Sequence, residues 1–524
     1  MKVKKLFLPA LAAVTLLASC SKDGPDEPVN PVDVTGKAYL SLSLKNNNEA
    51  MTRSNEQKPG TEAESKADRV TVLLFDDAFL CLGTADFSGL TVGNSGGSNT
   101  PTAEKSEAKL VPGATKKIFV VINPVSSNGW DLTDNAVKGK SWQDINTTIK
   151  DANLTIGNLT ATNSFMMTSA GNQTYGALTT VEVAKPASDS QADIDAAKAL
   201  AKTQAAEVYV NRMSAKVTVS ENQSGVTTGN NNTDKFTFQG WELNITNKSI
   251  GLYTDIVTYD NASTSAVQGI YRKDANYLLT DQPAQAKISE EFNCLTNGGN
   301  DPANDMSPVI KAQGTDAYCF ENTMDAPAQK LGYTTKAVVK AKYTPVGITE
   351  GNSYFFWHGS YLTLTELKAL YLTHSDGTGL KTDLPIFLKK AGLMTSDVTD
   401  QSDINDAVAA LTADNFDAVT GVKGRYCAVR YYHESVCYYD VLIRHDQNVT
   451  ADMALGRYGV VRNNWYGLTI NSAGSPGTPW IPDPTDPDDP TKPGTDDDDN
   501  SEAYLSVSIT VNPWTFWNQG VDLN

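Results

Sequence analysis

The apolar and polar positions repeat one pattern at both ends of the chain. Ala38-Tyr39-Leu40-Ser41-Leu42-Ser43-Leu44 near the N-terminus and Ala503-Tyr504-Leu505-Ser506-Val507-Ser508-Ile509 near the C-terminus alternate with period two. One face is apolar and the other carries serine, the pattern of a half-buried β-strand. Between these ends, strands are predicted at 70–75, 117–122, 208–219, 236–246, 336–343, 426–432, 436–444 and 458–470. Short helices are predicted at 191–205, 365–371 and 404–411, each preceded by Ser, Thr or Asp as a cap. A polar, Gly- and Asn-rich stretch at 220–234 separates two strand-rich regions, 54–222 and 235–473. These read as two β-sandwich-like domains decorated by helices and long loops, so the fold class is mainly β.

Two segments with one side-chain code fit one groove, and the surroundings of each say how they differ. Residues 1–19 read as a secretory signal peptide: Lys2, Lys4 and Lys5 precede an apolar run from Leu6 to Leu17, too short to span a bilayer. Leu17-Ala18-Ser19-Cys20 resembles a bacterial lipobox, a pattern that implies cleavage before Cys20 and diacylglycerol on its thiol. Residues 20–53 then read as a lipidated propeptide. It holds a polar tether (23–36) and the first strand, whose apolar face is Leu40, Leu42 and Leu44. From Lys45 to Asp68 the chain is almost wholly polar, an exposed loop and a preferred site of nicking. Arg53 is the only arginine between Cys20 and Arg69, so an arginine-specific protease has one easy target, the Arg53–Ser54 bond. Arg53 read alone is an ordinary solvated loop residue. Placed directly behind the duplicated strand, it becomes the point whose cleavage detaches lipid, tether and strand together.

The C-terminal copy has its own delivery. Residues 474–500 are rich in proline and end in Asp496-Asp497-Asp498-Asp499. Proline fixes extended geometry and like charges repel, so such a linker reaches about 80 Å at about 3.1 Å per residue. The aspartate run lacks the fixed spacing and turn glycine of an EF-hand loop and reads as a spacer. In the terminal segment 501–524, Leu505, Val507, Ile509 and Val511 share one face. Their burial is worth roughly 6–12 kcal/mol before ordering costs. Main-chain ladder bonds add to this, as when a peptide joins an open sheet edge. A groove without such a strand is an aggregation hazard.

Composition narrows the class. Among 524 residues the net charge is −18 and the isoelectric point about 4.7, which argues against nucleic-acid binding. Beyond Cys20, five cysteines remain, an odd number and a poor disulfide framework. Cys427 with Cys437, or Cys294 with Cys319, would suit a hairpin bridge. Gly93-Asn94-Ser95-Gly96-Gly97 satisfies G-x-S-x-G, but no histidine precedes Ser95 and Ser98-Asn99-Thr100-Pro101 follows where a helix is needed. His358, His374, His433 and His445 show no metal spacing, and neither HExxH nor CxxC occurs. No enzymatic activity, metal or cofactor is expected.

Taken in order, the lipobox at Cys20, the arginine site at Arg53, Arg212-Met213-Ser214-Ala215-Lys216-Val217, Val460-Val461-Arg462-Asn463-Asn464-Trp465-Tyr466 and the ending Ile509-Thr510-Val511-Asn512-Pro513-Trp514 resemble the fimbrillin family. These are the type V fimbrial subunits of Bacteroidales, and the chain is most similar to the main shaft subunit of the minor, short fimbriae. The resemblance covers essentially the whole chain. It implies two transthyretin-like β-sandwich domains and export as an outer-membrane lipoprotein precursor. It further implies maturation by a gingipain-type arginine-specific protease, loss of the first strand, and assembly through a C-terminal donor strand. Expected partners are identical subunits, anchor and tip subunits, and that protease. The resemblance distinguishes tip subunits, which lack a donor extension, and anchors, which lack productive processing. The other reading is a monomeric surface lipoprotein that binds carbohydrate or a host ligand, with Trp480, Phe355, Phe356 and Trp357 as its aromatic surface.

Overall fold

A computed structural model describes residues 36–46, 58–93, 103–125, 130–150, 154–171, 176–260, 268–279, 285–296, 310–486, 488, 498 and 505–515. All lie in one compact unit, Val34–Asn524. The first sheet grows around Val70–Phe75 (β4), every residue of which is buried because both faces are covered. Its other members include Leu42–Asn46 (β2), Cys81–Phe87 (β5), Val92–Gly93 (β6), Lys117–Ile122 (β8), Met167–Ser169 (β9) and Ala206–Arg212 (β10), in the order β5-β4-β8-β9-β10-β2-β6. A separate antiparallel pair joins Lys37–Leu40 (β1) to Lys109–Pro112 (β7). Leu73, Phe75, Phe119, Val121, Trp130 and Met213 fill the core of this half, and Ile250, Leu252 and Phe320 reach into it from later in the chain.

The chain leaves this sheet at Met213. Residues 208–219 read as a single strand, but the hydrogen-bond partners change there. Arg212 is paired with Met167 in the first sheet, whereas Ser214–Glu221 (β11) pairs with Asp316–Phe320 (β13) and Asn464–Ala473 (β16) in a second. With Lys58–Pro59 (β3) and Leu505–Thr515 (β17), the second sheet runs β13-β11-β16-β17-β3. A third sheet of Lys235–Asn244 (β12), Lys336–Thr344 (β14) and Val436–Leu442 (β15) faces it. Ala215, Val217, Trp241, Val339, Tyr466 and Leu468 interdigitate between the two layers, making a β-sandwich. The strand predicted at 458–470 begins only at Asn464 because Asn463 turns the backbone at φ +60°. Tyr426 does the same at φ +64°, and the strand predicted from there is limited to Arg430–Tyr432.

Helices form where their caps allow. Gln191–Thr203 (α1) starts at Ser190, whose hydroxyl accepts from Asp193 N–H, and packs Ala197 and Ala201 on Tyr39. Leu364–Thr373 (α2) opens on a Thr363–Glu366 capping box. Leu380–Lys390 (α3) was not predicted. Its Pro385 removes a ladder bond, a loss offset by the complete burial of Leu380, Leu384, Phe387 and Leu388. With Gln401–Ala410 (α4), these helices enclose a satellite core of their own.

All five described cysteines are free, so neither hairpin bridge forms. Burial pushes the Cys319 and Cys437 thiols up to about 12, leaving them inert as nucleophiles at neutral pH. No helix among the described residues is long and apolar enough to cross a membrane.

Candidate functional site: the two terminal strands and their meeting point

The first strand is more deeply held than its alternation implies. Leu40, Leu42 and Leu44 are buried as expected, but Ser41 and Ser43 are buried too. The reason is position: β2 is not an edge strand but lies between β10 and β6, in parallel register with Val208 opposite Leu44. Ser41 breaks the run into β1 and β2. Its hydroxyl donates to Ser106 O at 2.6 Å, and Leu42 N–H donates to Ser106 Oγ at 2.9 Å. The buried Ser41 is thus hydrogen-bonded rather than solvated.

The C-terminal strand keeps the alternation. Leu505, Ile509 and Val511 are buried in the second core and Val507 packs against it, while Ser506, Ser508 and Thr510 are exposed. The strand lies antiparallel on β16, with Ile509 opposite Leu468 and Val511 opposite Tyr466. The two terminal strands therefore sit in different sheets of one chain. Before the last strand, residues 474–486 are docked rather than free, and Asp498 of the aspartate run is buried, accepting from the Thr334 hydroxyl. Thr478 bridges Tyr438, Ile481 is fully buried against Val338, and Arg425 Nε lies 2.5 Å from Asp486. Trp480 is buried as well, in edge contact with Tyr426, so it offers no aromatic binding surface. Phe355 lies in the satellite core, and Phe356 and Trp357 are half-buried.

The far ends of the two strands meet at one buried polar node. Trp514, fully buried, stacks on Tyr318 at 5.8 Å, meets Phe165 edge-on, and lies under the Arg212 guanidinium at 4.3 Å. Arg212 Nη1 donates to Trp514 O at 2.6 Å and Nε donates to Glu64 O at 3.0 Å. The Glu64 carboxylate accepts from Thr61 N–H (2.6 Å), Tyr318 OH (2.5 Å) and Lys216 Nζ (3.0 Å), and Trp514 Nε1 approaches it at 3.4 Å. Lys216 also pairs with Asp316 at 2.7 Å and covers the Trp465 ring. Burial pushes the Glu64 carboxyl up, but the Tyr318 hydrogen bond and the Lys216 ammonium outweigh it and hold it below its ordinary value. Burial lowers the Arg212 guanidinium to about 9 against the pull of Glu64, and it stays charged at neutral pH. Asn463 joins the node from β16's approach, donating to Asn46 Oδ1 at 3.1 Å and accepting from Arg212 N–H at 3.2 Å.

Asn46, Glu64 and Tyr318 had no signal in the sequence. Arg212 and Lys216 did, since cations inside an apolar run require a buried carboxylate. Cys20, Arg53 and Ser54 lie outside the described residues, as do Asn94–Gly97 of the G-x-S-x-G match. No metal-holding cluster of His, Cys, Asp or Glu occurs among the described residues. His445 accepts or donates to Tyr466 OH at 2.7 Å, a packing role.

Residues 38–253 match the family model for the major fimbrial subunit protein FimA, and residues 430–519 match that for the C-terminal part of fimbrillin, the major fimbrial subunit protein type IV. Over these two stretches the chain belongs to the fimbrillin family. The fimbrillin matches hold both terminal strands and the Arg212, Asn463 and Trp514 corners of the node. A structural role in a fimbria follows from this membership. A fimbrilin from Porphyromonas gingivalis W83 has a similar outline, with 15% identity, 93% of this chain and 100% of that one covered, and a TM-score of 0.42. A provisionally named cell adhesion protein from Parabacteroides distasonis ATCC 8503 compares at 12% identity, 92% and 99% coverage and a TM-score of 0.40. The tip fimbrial protein Mfa3 from Porphyromonas gingivalis, C-terminally truncated, compares at 11%, 91% and 100%, with a TM-score of 0.32. No curated protein matches the chain in sequence.

Proposed function

We propose that the chain is a shaft subunit of a cell-surface fimbria, most like that of the minor fimbriae, and that it polymerises by protease-triggered strand exchange. It reaches the outer membrane acylated on Cys20. A gingipain-type arginine-specific protease cuts between Arg53 and Ser54, and the strand bearing Leu40, Leu42 and Leu44 departs. The strand bearing Leu505, Val507, Ile509 and Val511 from a neighbour then covers the opened edge of Val208 and Val210. The mature protein is extracellular, in contact with identical subunits and with anchor and tip subunits. It supports adhesion and biofilm formation.

The observation that carries this reading is the placement of the two strands. They share a side-chain code but occupy different sheets, so removing one opens its own sheet while the other remains to be lent. The C-terminal strand is also imperfectly seated on its own sheet. Asn512 is fully buried there, and neither of its amide atoms has a hydrogen-bond partner among the described residues. An unmade buried bond costs about 1–3 kcal/mol, which favours departure to a better seat. Residues 487–504, fully extended, span at most about 60 Å, enough to cross to an adjoining subunit.

The test is the N-terminus of protein taken from fibres on cells. Ser54 is expected, and acylated Cys20 would support a monomeric lipoprotein instead. A second expectation uses stability. Leu42→Ala should destabilise the uncut chain by about 2–5 kcal/mol through the cavity it leaves. After cutting and strand loss the same substitution should have no effect, since the residue is gone. An effect that persists in assembled protein would show that the first strand is retained.

A further inference from the structure

The segments on either side of Arg53 in sequence both hold the end of the C-terminal strand. Asn46, the last described residue before it, donates from Nδ2 to Trp514 O at 3.5 Å and accepts from Asn463 Nδ2 at 3.1 Å. After it, Lys58 and Pro59 pair in parallel with Trp514 and Thr515, and Glu64 faces the Trp514 indole. Arg212 joins the two groups. It binds Trp514 O and Asn463 Oδ1 from the end of β10, the strand whose Val210 is opposite Asn46.

We propose that this node is an autoinhibitory latch: the first strand, through Asn46, Asn463 and Arg212, clamps Trp514 and keeps the C-terminal strand on its own sheet until the first strand is removed. The proposal rests on the strand-exchange reading and adds the coupling between its two halves. β17 is paired along its length with β16, so it leaves most easily by unzipping from an end, and Trp514 is the anchor at its far end. Loss of β2 removes one donor from Trp514 O and one acceptor from Asn463 Nδ2. It also strips β10 of its neighbour over Ala206–Val210, the stretch that positions Arg212. Departure of the first strand thus opens the acceptor groove and weakens the hold on the donor in one event, so that an uncut chain offers neither.

Hydrogen exchange on the full chain tests this. Asn46→Ala is expected to speed exchange across 505–515 by about tenfold while 70–75 and 117–122 in the first sheet stay within about twofold. Unchanged exchange in 505–515 overturns the latch. Should that variant fold poorly, the wild-type chain is measured before and after cutting with an arginine-specific protease and removal of the first strand. Faster exchange at 505–515 after removal supports the latch, and equal rates overturn it. Assembly is scored in the same samples. Faster exchange without assembly leaves the latch standing and sinks strand exchange, whereas assembly with unchanged exchange sinks the latch alone.

Discussion

A chain lacking residues 501–524 is expected to be cut at Arg53 and to form no fibre. The missing segment supplies Leu505, Ile509 and Val511 to a buried face, with Val507 beside them. The other segment with this Ala-Tyr-Leu-Ser code, 38–44, is the one that the proposed processing removes. The deleted protein keeps β11 and β16 paired in parallel and keeps the third sheet opposite them, so the second sandwich retains most of its layers. In the proposed polymer that sandwich has already given up its own C-terminal strand, and the deletion asks no more of it than assembly does. Circular dichroism confirms that the truncated chain is folded, and electron microscopy with sedimentation scores fibres. Fibres at normal yield would end the strand-exchange reading. A synthetic 501–524 peptide added to cut full-length protein should slow fibre growth by occupying the same groove.

Much of this arrangement was legible in the chain. Period-two alternation places Leu505, Ile509 and Val511 on the buried face and Ser506, Ser508 and Thr510 on the exposed one, because β17 covers a core on one side only. The same alternation misplaces Ser41 and Ser43. A local pattern reports what a strand's own residues prefer, not how many layers will cover it, and Ser106 supplies partners that only tertiary structure brings near. The switch of sheets at Met213 is likewise invisible, since both halves of 208–219 are equally good strand and only their partners differ. Helix α3 was hidden by Pro385, whose local cost is outweighed by a buried face the sequence does not show. Pro59-Gly60 lies in the polar stretch 45–68, which reads as an exposed loop. In fact a Cβ at residue 60 would lie 2.8 Å from Trp514 Nε1, so the glycine marks where the backbone passes under the anchor. The motif residues Arg212, Lys216 and Asn463 were matched as a family resemblance, and their proximity around Glu64 and Trp514 supplies the physical reason for them.

Glu64→Ala is expected to cost about 3–5 kcal/mol in the uncut chain, the largest loss from any single substitution at the node. Glu64 and Arg212 are both almost wholly buried, as is Lys216, and removing one partner strands the others as uncompensated charges. Alanine also deletes the acceptor for Thr61 N–H and Tyr318 OH. Asp316 remains for Lys216, whereas Arg212 is left with neutral oxygens such as Trp514 O, Asn463 Oδ1 and Ser65 Oγ. Glu64→Gln preserves the shape and part of the hydrogen bonding while losing the charge, and should fall between wild type and alanine. The pH dependence has a definite sign. The Glu64 carboxyl is held below its unfolded value of 4.5. Its contribution is therefore full above that pH and is lost as pH falls through the folded value. Chemical denaturation of wild type and Glu64→Gln at neutral pH and again below about pH 4 should show the gap between them narrowing in acid. A gap that widens in acid, or an alanine variant within about 0.5 kcal/mol of wild type at neutral pH, would show that the node is held by packing of Trp514 rather than by its buried charges.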